Sequence, residues 1–426
     1  MENTYTVFNK FSKIRYPIYT FKNGLFGIPL YKDPTLIQNS DARDLRTPGG
    51  KVNFNFTGIY REGQERVIAK FHEQLLKGKT GFILEAKPGS GKTVCGISMM
   101  QLLGTTTLIV VPRSNLIKQW YDRLLEHTDL PKSSIGIIEG SKRVWEGKKV
   151  VVGLVHSLNS SKRLPWFISF RKYFGLLLFD EVHSSVPPVT FSSIVTLFPS
   201  RYRIGMSATL NRDDGMDAIF RWHIGQVYLK LETTARMLPK VVVVTYKGFS
   251  GFVPMSSNLL NRRGMLISKL AANYKRNKLL AHLILKLYLS GRKVCVLSDR
   301  VAQLKILREL VSTEIDAVKI GLYIRGKTGL SSSSRKKIET EAMLILATYQ
   351  MFDLGTDVPD LAGLVYGTPQ KNVAQKQGRV ERICAAKKQP IVIDIVDSYY
   401  ADALRWASCR EKFYRREKLE ISQITI

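Results

Sequence analysis

The chain has 426 residues, 44% of them hydrophobic, which is enough for roughly two or three domains with buried cores. Its 65 Lys and Arg residues outnumber 35 Asp and Glu residues and give a formal net charge of +30. Such a bias indicates a polyanionic partner. No apolar run approaches the roughly 18–20 residues of a membrane span, and the first residues lack the basic and apolar regions of a secretory signal. We therefore expect a folded, cytoplasmic protein with no membrane partner.

The cysteines are scattered along the chain and form no C-x-x-C pair; they are Cys95, Cys295, Cys384 and Cys409. Two of them, Cys95 and Cys295, lie in apolar periodic segments. This usage is typical of reduced thiols packed in a core and argues against a zinc site.

Residues 1–52 differ in pattern from the rest of the chain. Aromatic and polar residues alternate there around turn signals such as Asn23-Gly24 and Pro34, which predicts short strands in a small β-rich domain. The stretch from Asp44 to Gly50 is typical of a linker. The basic and aromatic content fits an accessory nucleic-acid-binding domain, and a plain packing extension fits equally well.

From Tyr60 onward a helical pattern is followed by short apolar strands that alternate with helices. Strands are predicted at 82–85, 107–111, 149–155, 175–179 and 202–206, with a helix at 115–126. The alternation begins again after Pro239, with strands at 241–246, 293–297, 318–323, 343–348, 364–366 and 390–396 and helices near 268–289, 301–312 and 375–383. Short, nearly all-apolar strands indicate parallel sheets buried on both faces. The sequence thus predicts an α/β fold with two tandem domains, residues 53–237 and 238–426.

Two kinds of aromatic segment are candidates for contact with nucleic acid. Residues 406–418 predict a basic, aromatic helix that either docks on the second domain or touches nucleic acid. Loop residues such as Trp145, Trp166 with Phe167, and Phe252 are candidates for a wedge between bases, although a packing role is favoured for each.

The stretch from Ala86 to Thr93 reads Ala-Lys-Pro-Gly-Ser-Gly-Lys-Thr and lies between a predicted strand and a predicted helix. Glycines at this spacing let backbone N–H groups converge on a polyphosphate, and the helix that follows adds the positive end of its dipole. The lysine then reaches the β and γ phosphates, and the threonine can ligate Mg²⁺. The generic loop has Gly where Ala86 stands. The residues expected to bind ATP here are Pro88, Gly89, Ser90, Gly91, Lys92 and Thr93.

An acidic pair, Asp180-Glu181, directly follows the predicted strand at 175–179. A nucleoside triphosphatase places such a pair at the carboxyl end of a buried strand, where one carboxylate holds Mg²⁺ and the other polarises the attacking water. We assign the first role to Asp180 and the second to Glu181. His183 lies beside the pair and is a candidate link from the nucleotide site to its neighbours.

Together these motifs resemble superfamily 2 nucleic-acid helicases of the DExH type. The loop matches the A-x-x-G-x-G-K-T form common in that family, which accounts for Ala86. Gln64, with Arg61 three residues before it, stands where the family places its adenine-recognising glutamine. The resemblance also implies nucleic-acid contacts at Arg113 and Ser157. The motif by which the family couples ATP hydrolysis to domain movement corresponds to Gly205-Met206-Ser207-Ala208-Thr209. The resemblance gives Ser207 and Thr209 this coupling role.

The second predicted domain carries the remaining motifs in the family's order. Residues 294–300 resemble motif IV, and residues 347–348 with 355–357 resemble motif V, which implies a nucleic-acid contact at Thr348 and nucleotide contacts at Gly355 and Asp357. Motif VI, Q-x-x-G-R-x-x-R, corresponds to Gln375, Gly378, Arg379 and Arg382. The spacing of Arg379 and Arg382 predicts one helical face. Both are candidate arginine fingers for phosphoryl transfer, with Gln375 in a coupling role. Glu381 stands where many relatives have a smaller residue, so which arginine is the finger is left open.

The resemblance covers about residues 58–420. Within it, residues 203–225 indicate a narrower group: they are similar to the group containing XPB, the phage protein UvsW and phage or large-DNA-virus helicases, including a phage T5-type branched-DNA helicase. It implies two tandem RecA-like domains, with the parallel sheets flanked by helices, after the small β-rich N-terminal domain. It also implies a monomeric ATP- and Mg²⁺-dependent DNA helicase or translocase that acts on single-stranded, forked or branched DNA, in the host cytoplasm if phage or viral. Two alternatives are an RNA helicase or transcript-release ATPase of the same superfamily, and a nucleic-acid-binding scaffold with vestigial ATPase. Lys92, Asp180, Glu181 and Arg379 argue against the scaffold.

Overall fold

The computed structural model of the chain describes residues 6–8, 15–17, 20–22, 25–27, 29–31, 44–87, 89–181, 188–208, 215–225, 227–232, 236–252, 259–324, 332–353, 358–385 and 387–426. Five predicted site residues lie outside the described residues: Pro88, His183, Thr209, Gly355 and Asp357. The chain divides into two compact units, Met1–Thr234 and Ala235–Ile426.

The first unit has four short strands near its start, paired as two antiparallel ribbons: β1 (Thr6–Phe8) with β2 (Arg15–Pro17), and β3 (Thr20–Lys22) with β4 (Leu25–Gly27). Its described part also has an eight-stranded sheet made of β5 (Gly81–Ala86), β6 (Thr107–Val111), β7 (Ile135–Glu139), β8 (Lys142–Val144), β9 (Val150–Leu154), β10 (Leu176–Phe179), β11 (Tyr202–Ser207) and β12 (Val227–Leu231). The order is β12-β5-β11-β10-β6-β9-β7-β8, and only β8 is antiparallel to its neighbour.

Helices flank this sheet: α1 (Gln64–Leu76), α2 (Lys92–Leu103), α3 (Ser114–His127), α4 (Val155–Ser161), α5 (Phe167–Arg171), α6 (Pro188–Val195) and α7 (Ala218–Ile224), with a 3-10 turn at Lys132–Ser134. Strand β10 illustrates why the sheet is covered on both faces. Successive side chains of a strand point to opposite faces. Leu177 and Phe179 join one core cluster, and Leu176 and Leu178 join the other.

The second unit has a seven-stranded sheet within its described residues, made of β13 (Lys240–Tyr246), β14 (Lys293–Ser298), β15 (Ile320–Tyr323), β16 (Leu344–Thr348), β17 (Leu361–Tyr366), β18 (Ile391–Asp397) and β19 (Ile421–Thr425). The order is β15-β16-β14-β17-β18-β13-β19, with parallel pairing throughout. The helices are α8 (Leu259–Ala272), α9 (Tyr274–Leu289), α10 (Val301–Val311), α11 (Ser332–Glu341), α12 (Tyr349–Asp353), α13 (Ala374–Val380) and α14 (Ala401–Arg416), with a 3-10 turn at Ala317–Lys319.

The predicted α/β fold with parallel sheets, flanking helices and a small N-terminal β part is confirmed. The buried thiols Cys95 and Cys295 are also confirmed as core residues. One predicted helix, 268–289, is two helices, because Asn273 ends the first and caps α9 by accepting a bond from Arg276 N. No helix in the described part of the chain is long and apolar enough to cross a membrane.

The stretch from Asp44 to Gly50 packs against the first unit, contrary to its linker-like composition. Arg46 Nη1 donates to Thr80 Oγ1 at 3.0 Å, and Thr47 N donates to Pro199 O at 2.6 Å. Gly49 has a φ of +73°, and a Cβ there would lie 2.3 Å from Gly175 N. Tertiary contacts therefore fix the conformation of this segment, although its own sequence is typical of a linker.

Buried ion pairs anchor two helices of the second unit to β18. Arg276 in α9 and Asp397 are both fully buried, with Nε and Oδ1 2.7 Å apart and Nη2 and Oδ2 3.0 Å apart. Arg410 in α14 donates to Asp394 Oδ2 at 2.8 Å, and the Tyr414 hydroxyl donates to the same oxygen at 2.9 Å. Each buried charge is thus compensated, which is the condition for tolerating it in a core.

Replacing Arg276 should destabilise the second unit strongly. Arg276→Met leaves the Asp397 carboxylate buried and unpaired, so we expect the free energy of unfolding to fall by about 3–5 kcal/mol. Urea denaturation measures this change. The matched control is Arg415→Met, because Arg415 is 71% exposed and pairs with Glu411 on the surface of α14. That control should cost less than about 1 kcal/mol, and equal losses in the two variants would contradict the prediction.

Candidate nucleotide-binding site

The loop between β5 and α2 forms the centre of the candidate site, and α2 begins at Lys92. Gly89 and Gly91 have φ angles of +81° and +85°, a left-handed conformation that glycine adopts without strain. Ser90 closes the loop, because its backbone N and its hydroxyl both donate to Lys87 O, at 3.2 and 2.6 Å. The first turn of α2 follows directly, so its free backbone N–H groups lie where a phosphate would bind.

Gln64 and Arg61 hold this loop in place. Gln64 is fully buried, and its Nε2 donates to Ser90 O at 2.9 Å and to Gly91 O at 3.3 Å. Its Oε1 accepts from Arg61 N at 2.8 Å, and Arg61 Nη1 donates to Gly89 O at 3.3 Å. A Cβ at Gly91 would lie 2.2 Å from Gln64 Nε2. The structure therefore brings both residues to the predicted site, where the Gln64 amide braces the loop.

The predicted acidic pair lies at the same edge of the sheet as the loop. In the sheet order β11 stands between β5 and β10, so the carboxyl ends of three neighbouring parallel strands meet there. Lys92 Nζ lies 2.6 Å from Glu181 Oε1, which joins the two motifs. Both Lys92 and Asp180 are buried. Ser207, the candidate coupling residue, is buried at the end of β11.

Asp180 is held by two hydrogen bonds. Trp120 Nε1 donates to Asp180 Oδ2 at 2.8 Å, and Glu181 N donates to Asp180 Oδ1 at 2.9 Å. The pKa of Asp180 is raised to about 6, chiefly because burial disfavours the charged form and also because Glu181 is close, while Lys92 acts in the opposite direction. At neutral pH the carboxylate is ionised, and its buried charge favours a cationic ligand.

The residues present fit a magnesium ion. Asp180 supplies a carboxylate, and Thr93 supplies a half-buried hydroxyl in the first turn of α2. Hard oxygen ligands of this kind suit Mg²⁺, which takes its other ligands from phosphate and water. When bound, the ion neutralises charge on the phosphates. Glu181 has a φ of +51°, a left-handed backbone that costs a non-glycine residue about 1–2 kcal/mol and is typical of functional sites.

In the second unit, Gln375 and Arg379 both lie in α13 and are half-buried. Arg379 Nη2 donates to Asp353 O at 3.3 Å, and its guanidinium carbon lies 5.3 Å from the ring centroid of Phe352. Helix α13 ends before Arg382. The prediction that Arg379 and Arg382 share one helical face is therefore wrong.

Buried Glu381 marks the end of α13. Its Oε1 accepts from Gln377 Nε2 at 3.2 Å, its Oε2 accepts from Arg236 Nη1 at 3.2 Å, and its backbone O accepts from Met237 N at 3.0 Å. Arg236 also pairs with Glu417 at 2.9 Å. These hydrogen bonds and ion pairs hold the chain directly after α13, and Arg382 lies beyond the helix. The spacing of Arg379 and Arg382 along the sequence carries no information about such contacts, so the prediction from that spacing was wrong.

The residues predicted to contact nucleic acid have different surroundings. Arg113 is half-buried and precedes α3, and Thr348 ends β16 with its hydroxyl accepting from Met351 N at 3.3 Å. Ser157 is buried, and its hydroxyl accepts from Gly140 N at 2.8 Å. Ser157 therefore braces the turn after β7, and its assignment as a phosphate contact stays a prediction.

The loop aromatic residues fall into two groups. Trp145, Trp166 and Phe167 pack around Phe170, with ring centroids 5.3, 5.1 and 5.5 Å from that ring. They belong to a core cluster or pack against it, which confirms the packing role favoured for them. Phe252 is different, since it is 79% exposed.

The similarities to known proteins agree with this geometry. Residues 58–212 match the family described as type III restriction enzyme, res subunit. A protein of Acanthamoeba polyphaga mimivirus, named as an ATP-dependent RNA helicase, is 29% identical over 96% of this chain and 78% of its own length. A protein of Escherichia phage T5, named as helicase D10, is 28% identical over 78% of this chain and 71% of its own length. The DNA 3'-5' translocase XPB2 of Sulfurisphaera tokodaii is 27% identical over 77% of this chain and 80% of its own length.

By these matches the chain is similar to superfamily 2 helicases. It is similar to the XPB and phage or large-DNA-virus group, and the family implies an ATP-hydrolysing enzyme that acts on nucleic acid. The fold is also similar to a fragment named as the HsdR subunit of a type I restriction enzyme from Vibrio vulnificus YJ016, with a TM-score of 0.60 at 16% identity, covering 87% of this chain and 70% of that one.

The affinity of the nucleotide-free protein for Mg²⁺ should fall as the pH drops through about 6, because Asp180 takes up a proton there. The indole of Trp120 bonds to this carboxylate, so its fluorescence should follow the same titration. A fluorescence titration from pH 8 to pH 5, with and without Mg²⁺, measures both effects. Asp180→Asn should show neither, and Trp120→Phe should lose the optical signal. A midpoint near about 4, the ordinary aspartate value, would contradict the prediction.

Removing the Gln64 amide should weaken nucleotide binding. Gln64→Ala leaves Arg61 N and Ser90 O without their partner in a buried place, a cost of about 1–3 kcal/mol, so we expect the Kd for ATP to rise about 10-fold or more. Titration with a fluorescent ATP analogue measures the Kd. Gln74→Ala is the control, because Gln74 is on the same helix and its amide contacts Glu73 at the surface. An unchanged Kd in Gln64→Ala would show that the loop needs no brace.

Proposed function

We propose that this protein is an ATP-dependent DNA helicase or translocase that unwinds or branch-migrates forked or branched DNA, acting as a monomer. The observation that carries the proposal is the 2.6 Å contact between Lys92 Nζ and Glu181 Oε1, beside buried Asp180. It unites a phosphate-binding loop and a water-activating carboxylate in one site. The net charge of +30 supports a nucleic-acid track, and the XPB2 relative, named as a DNA translocase, supports DNA.

Each residue of the site has a defined role in this proposal. Lys92 binds the β and γ phosphates of ATP, and Glu181 orients the attacking water and accepts its proton. Asp180 and Thr93 hold Mg²⁺. We also propose Arg379 and Arg382 as the residues that neutralise charge on the transferring phosphoryl group.

The remaining residues keep the roles that the family resemblance implies. Those proposed for the nucleotide are Arg61, Gln64, Pro88, Gly89, Ser90, Gly91, Gly355 and Asp357. Those proposed for coupling are His183, Ser207, Thr209 and Gln375, and those proposed for nucleic acid are Arg113, Ser157 and Thr348. We propose residues 1–52 as an accessory domain and 53–237 and 238–426 as the motor domains, working in the host cytoplasm if the protein is phage or viral.

A second candidate is an RNA helicase or transcript-release ATPase of the same superfamily. The observation that favours it is the mimivirus relative, which is named as an RNA helicase and matches 96% of this chain. Phosphate contacts by Lys and Arg carry no sequence information, so the site residues by themselves do not choose between the two nucleic acids.

The proposal is tested by ATP hydrolysis and strand separation on a panel of fork, Holliday-junction, duplex and RNA substrates. We expect forked or branched DNA to stimulate hydrolysis most and to be unwound. Lys92→Ala and Glu181→Gln should abolish turnover, and Arg379→Ala should lower kcat by about 10³-fold or more. Lys118→Ala, which removes a 65% exposed lysine from α3, is the matched control and should act as the wild type.

Glu181→Gln separates binding from hydrolysis. This variant keeps the size and polarity of the side chain but cannot accept a proton, so it should still bind ATP and DNA.

Stimulation of ATP hydrolysis by RNA alone would favour the RNA helicase over the DNA helicase. Full activity in Lys92→Ala would overturn the ATPase assignment for both candidates.

A further inference from the structure

Aromatic residues that belong to none of the family motifs gather at the carboxyl edge of the second sheet. Strands β13 and β18 are parallel neighbours, with Tyr246 opposite Asp397, so the segments that follow them meet at this edge. The ring of Phe249 lies 5.1 Å from Phe252 and 4.7 Å from Tyr399, centroid to centroid. Tyr399 and Tyr400 are 5.5 Å apart. We call Phe249, Phe252, Tyr399 and Tyr400 the aromatic platform.

Three rings of the aromatic platform are exposed to solvent. Phe252 is 79% exposed, Tyr399 is 57% exposed and Phe249 is 45% exposed. Tyr400 lies beneath them and is buried. Contiguous apolar surface of this kind is uncommon on a soluble unit and marks a place where a partner covers it.

The aromatic platform is built on a fixed backbone. The Tyr400 hydroxyl donates to Gly251 O at 2.8 Å and accepts from Ser250 N at 2.9 Å. From the other side, Asn273 Nδ2 donates to Ser250 Oγ at 2.7 Å and to Phe249 O at 3.2 Å. The exposed rings are therefore held in position before any ligand arrives, which lowers the entropic cost of binding.

The surroundings of the aromatic platform are mainly basic. Helix α8 packs against Tyr400 and α14 through Leu266 and Leu270, and its sequence contains no acidic residue. The Nζ of Lys269 lies 3.2 Å from the place of a Cβ on Gly251. Among the charged residues of α8 and the start of α14, Arg262 and Arg405 pair with Asp402, and Arg263 pairs with Asp299. Lys247, which follows β13, and Lys269 in α8 add two further cations.

We propose that the aromatic platform is a base-stacking site for single-stranded nucleic acid. Exposed rings offer flat faces to bases of any identity, and neighbouring cations meet the phosphates. Strand β16, which carries Thr348, runs parallel in the same sheet, so the platform lies on the edge that also carries this proposed backbone contact. The inference rests on the proposed nucleic-acid function and adds a contact to bases that none of its motif residues supplies.

The test separates base contacts from phosphate contacts. Binding of a single-stranded thymidine oligonucleotide and of an abasic oligonucleotide of equal length is measured by fluorescence anisotropy at one salt concentration, without ATP. We expect Phe252→Ala with Tyr399→Ala to weaken binding of the thymidine strand about 10-fold or more and to leave the abasic strand unchanged. Tyr228→Ala, which removes a 41% exposed tyrosine from β12, is the control and should change neither.

Other results would overturn the inference. An equal loss of affinity for the thymidine strand and the abasic strand would assign the platform to phosphate binding or to folding. The aromatic double variant, Phe252→Trp with Tyr399→Phe, should bind the thymidine strand as the wild type does if stacking is the cause. A wild-type dimer that the double variant converts to a monomer, seen by sedimentation, would assign the surface to a second copy. If DNA stimulates hydrolysis and the double variant binds as the wild type, this inference fails alone. If base-dependent binding is lost in the variant but no nucleic acid stimulates hydrolysis, the proposed function fails and the platform stands.

Discussion

Fully buried parallel strands impose the arrangement of functional residues in both units. The inner strands β10 and β17 are apolar along their whole length, because side chains pack on both faces of each sheet. The candidate site residues therefore lie where such strands end. Asp180 follows β10, Ser207 ends β11 and Thr348 ends β16. The same rule places the aromatic platform, since its residues follow β13 and β18.

The nucleotide-binding site also depends on how its buried charges are balanced. Lys92 and Glu181 satisfy each other across 89 positions of sequence, and the cost of burying both is reduced by that pairing. Asp180 is satisfied differently, by the indole of Trp120 and a backbone N–H. Hydrogen bonds to neutral groups compensate its charge only in part, which is consistent with its raised pKa and with an attraction for a divalent cation. The two acidic neighbours thus have different electrostatic surroundings that suit their different roles.

The second unit uses charge in two ways. Inside, Arg276 with Asp397 and Arg410 with Asp394 form buried ion pairs that tie α9 and α14 to one inner strand. These pairs orient the helices from which the aromatic platform receives its support, because Asn273 directly precedes α9 and Tyr400 directly precedes α14. Outside, basic residues outnumber acidic residues around the aromatic platform, and such an excess attracts a polyanion. A rigid interior and a basic, aromatic surface are therefore carried by the same secondary-structure elements.

By itself, the sequence determined the α/β class, most strand positions in both sheets, and the two motifs around Lys92 and Asp180. It could do so because these features are local: an apolar run forms a buried strand, and a glycine-rich turn has its geometry within a few residues. Only the tertiary structure decided the rest, since it depends on contacts between distant positions. Trp120 is 60 residues from Asp180, Gln64 is 26 residues from Ser90, and Arg236 is 145 residues from Glu381 at the end of α13. No local pattern records such pairs, so the raised pKa of Asp180, the brace under the loop, the burial of Ser157 and the exposure of Phe252 became visible only when the sheets brought those residues together.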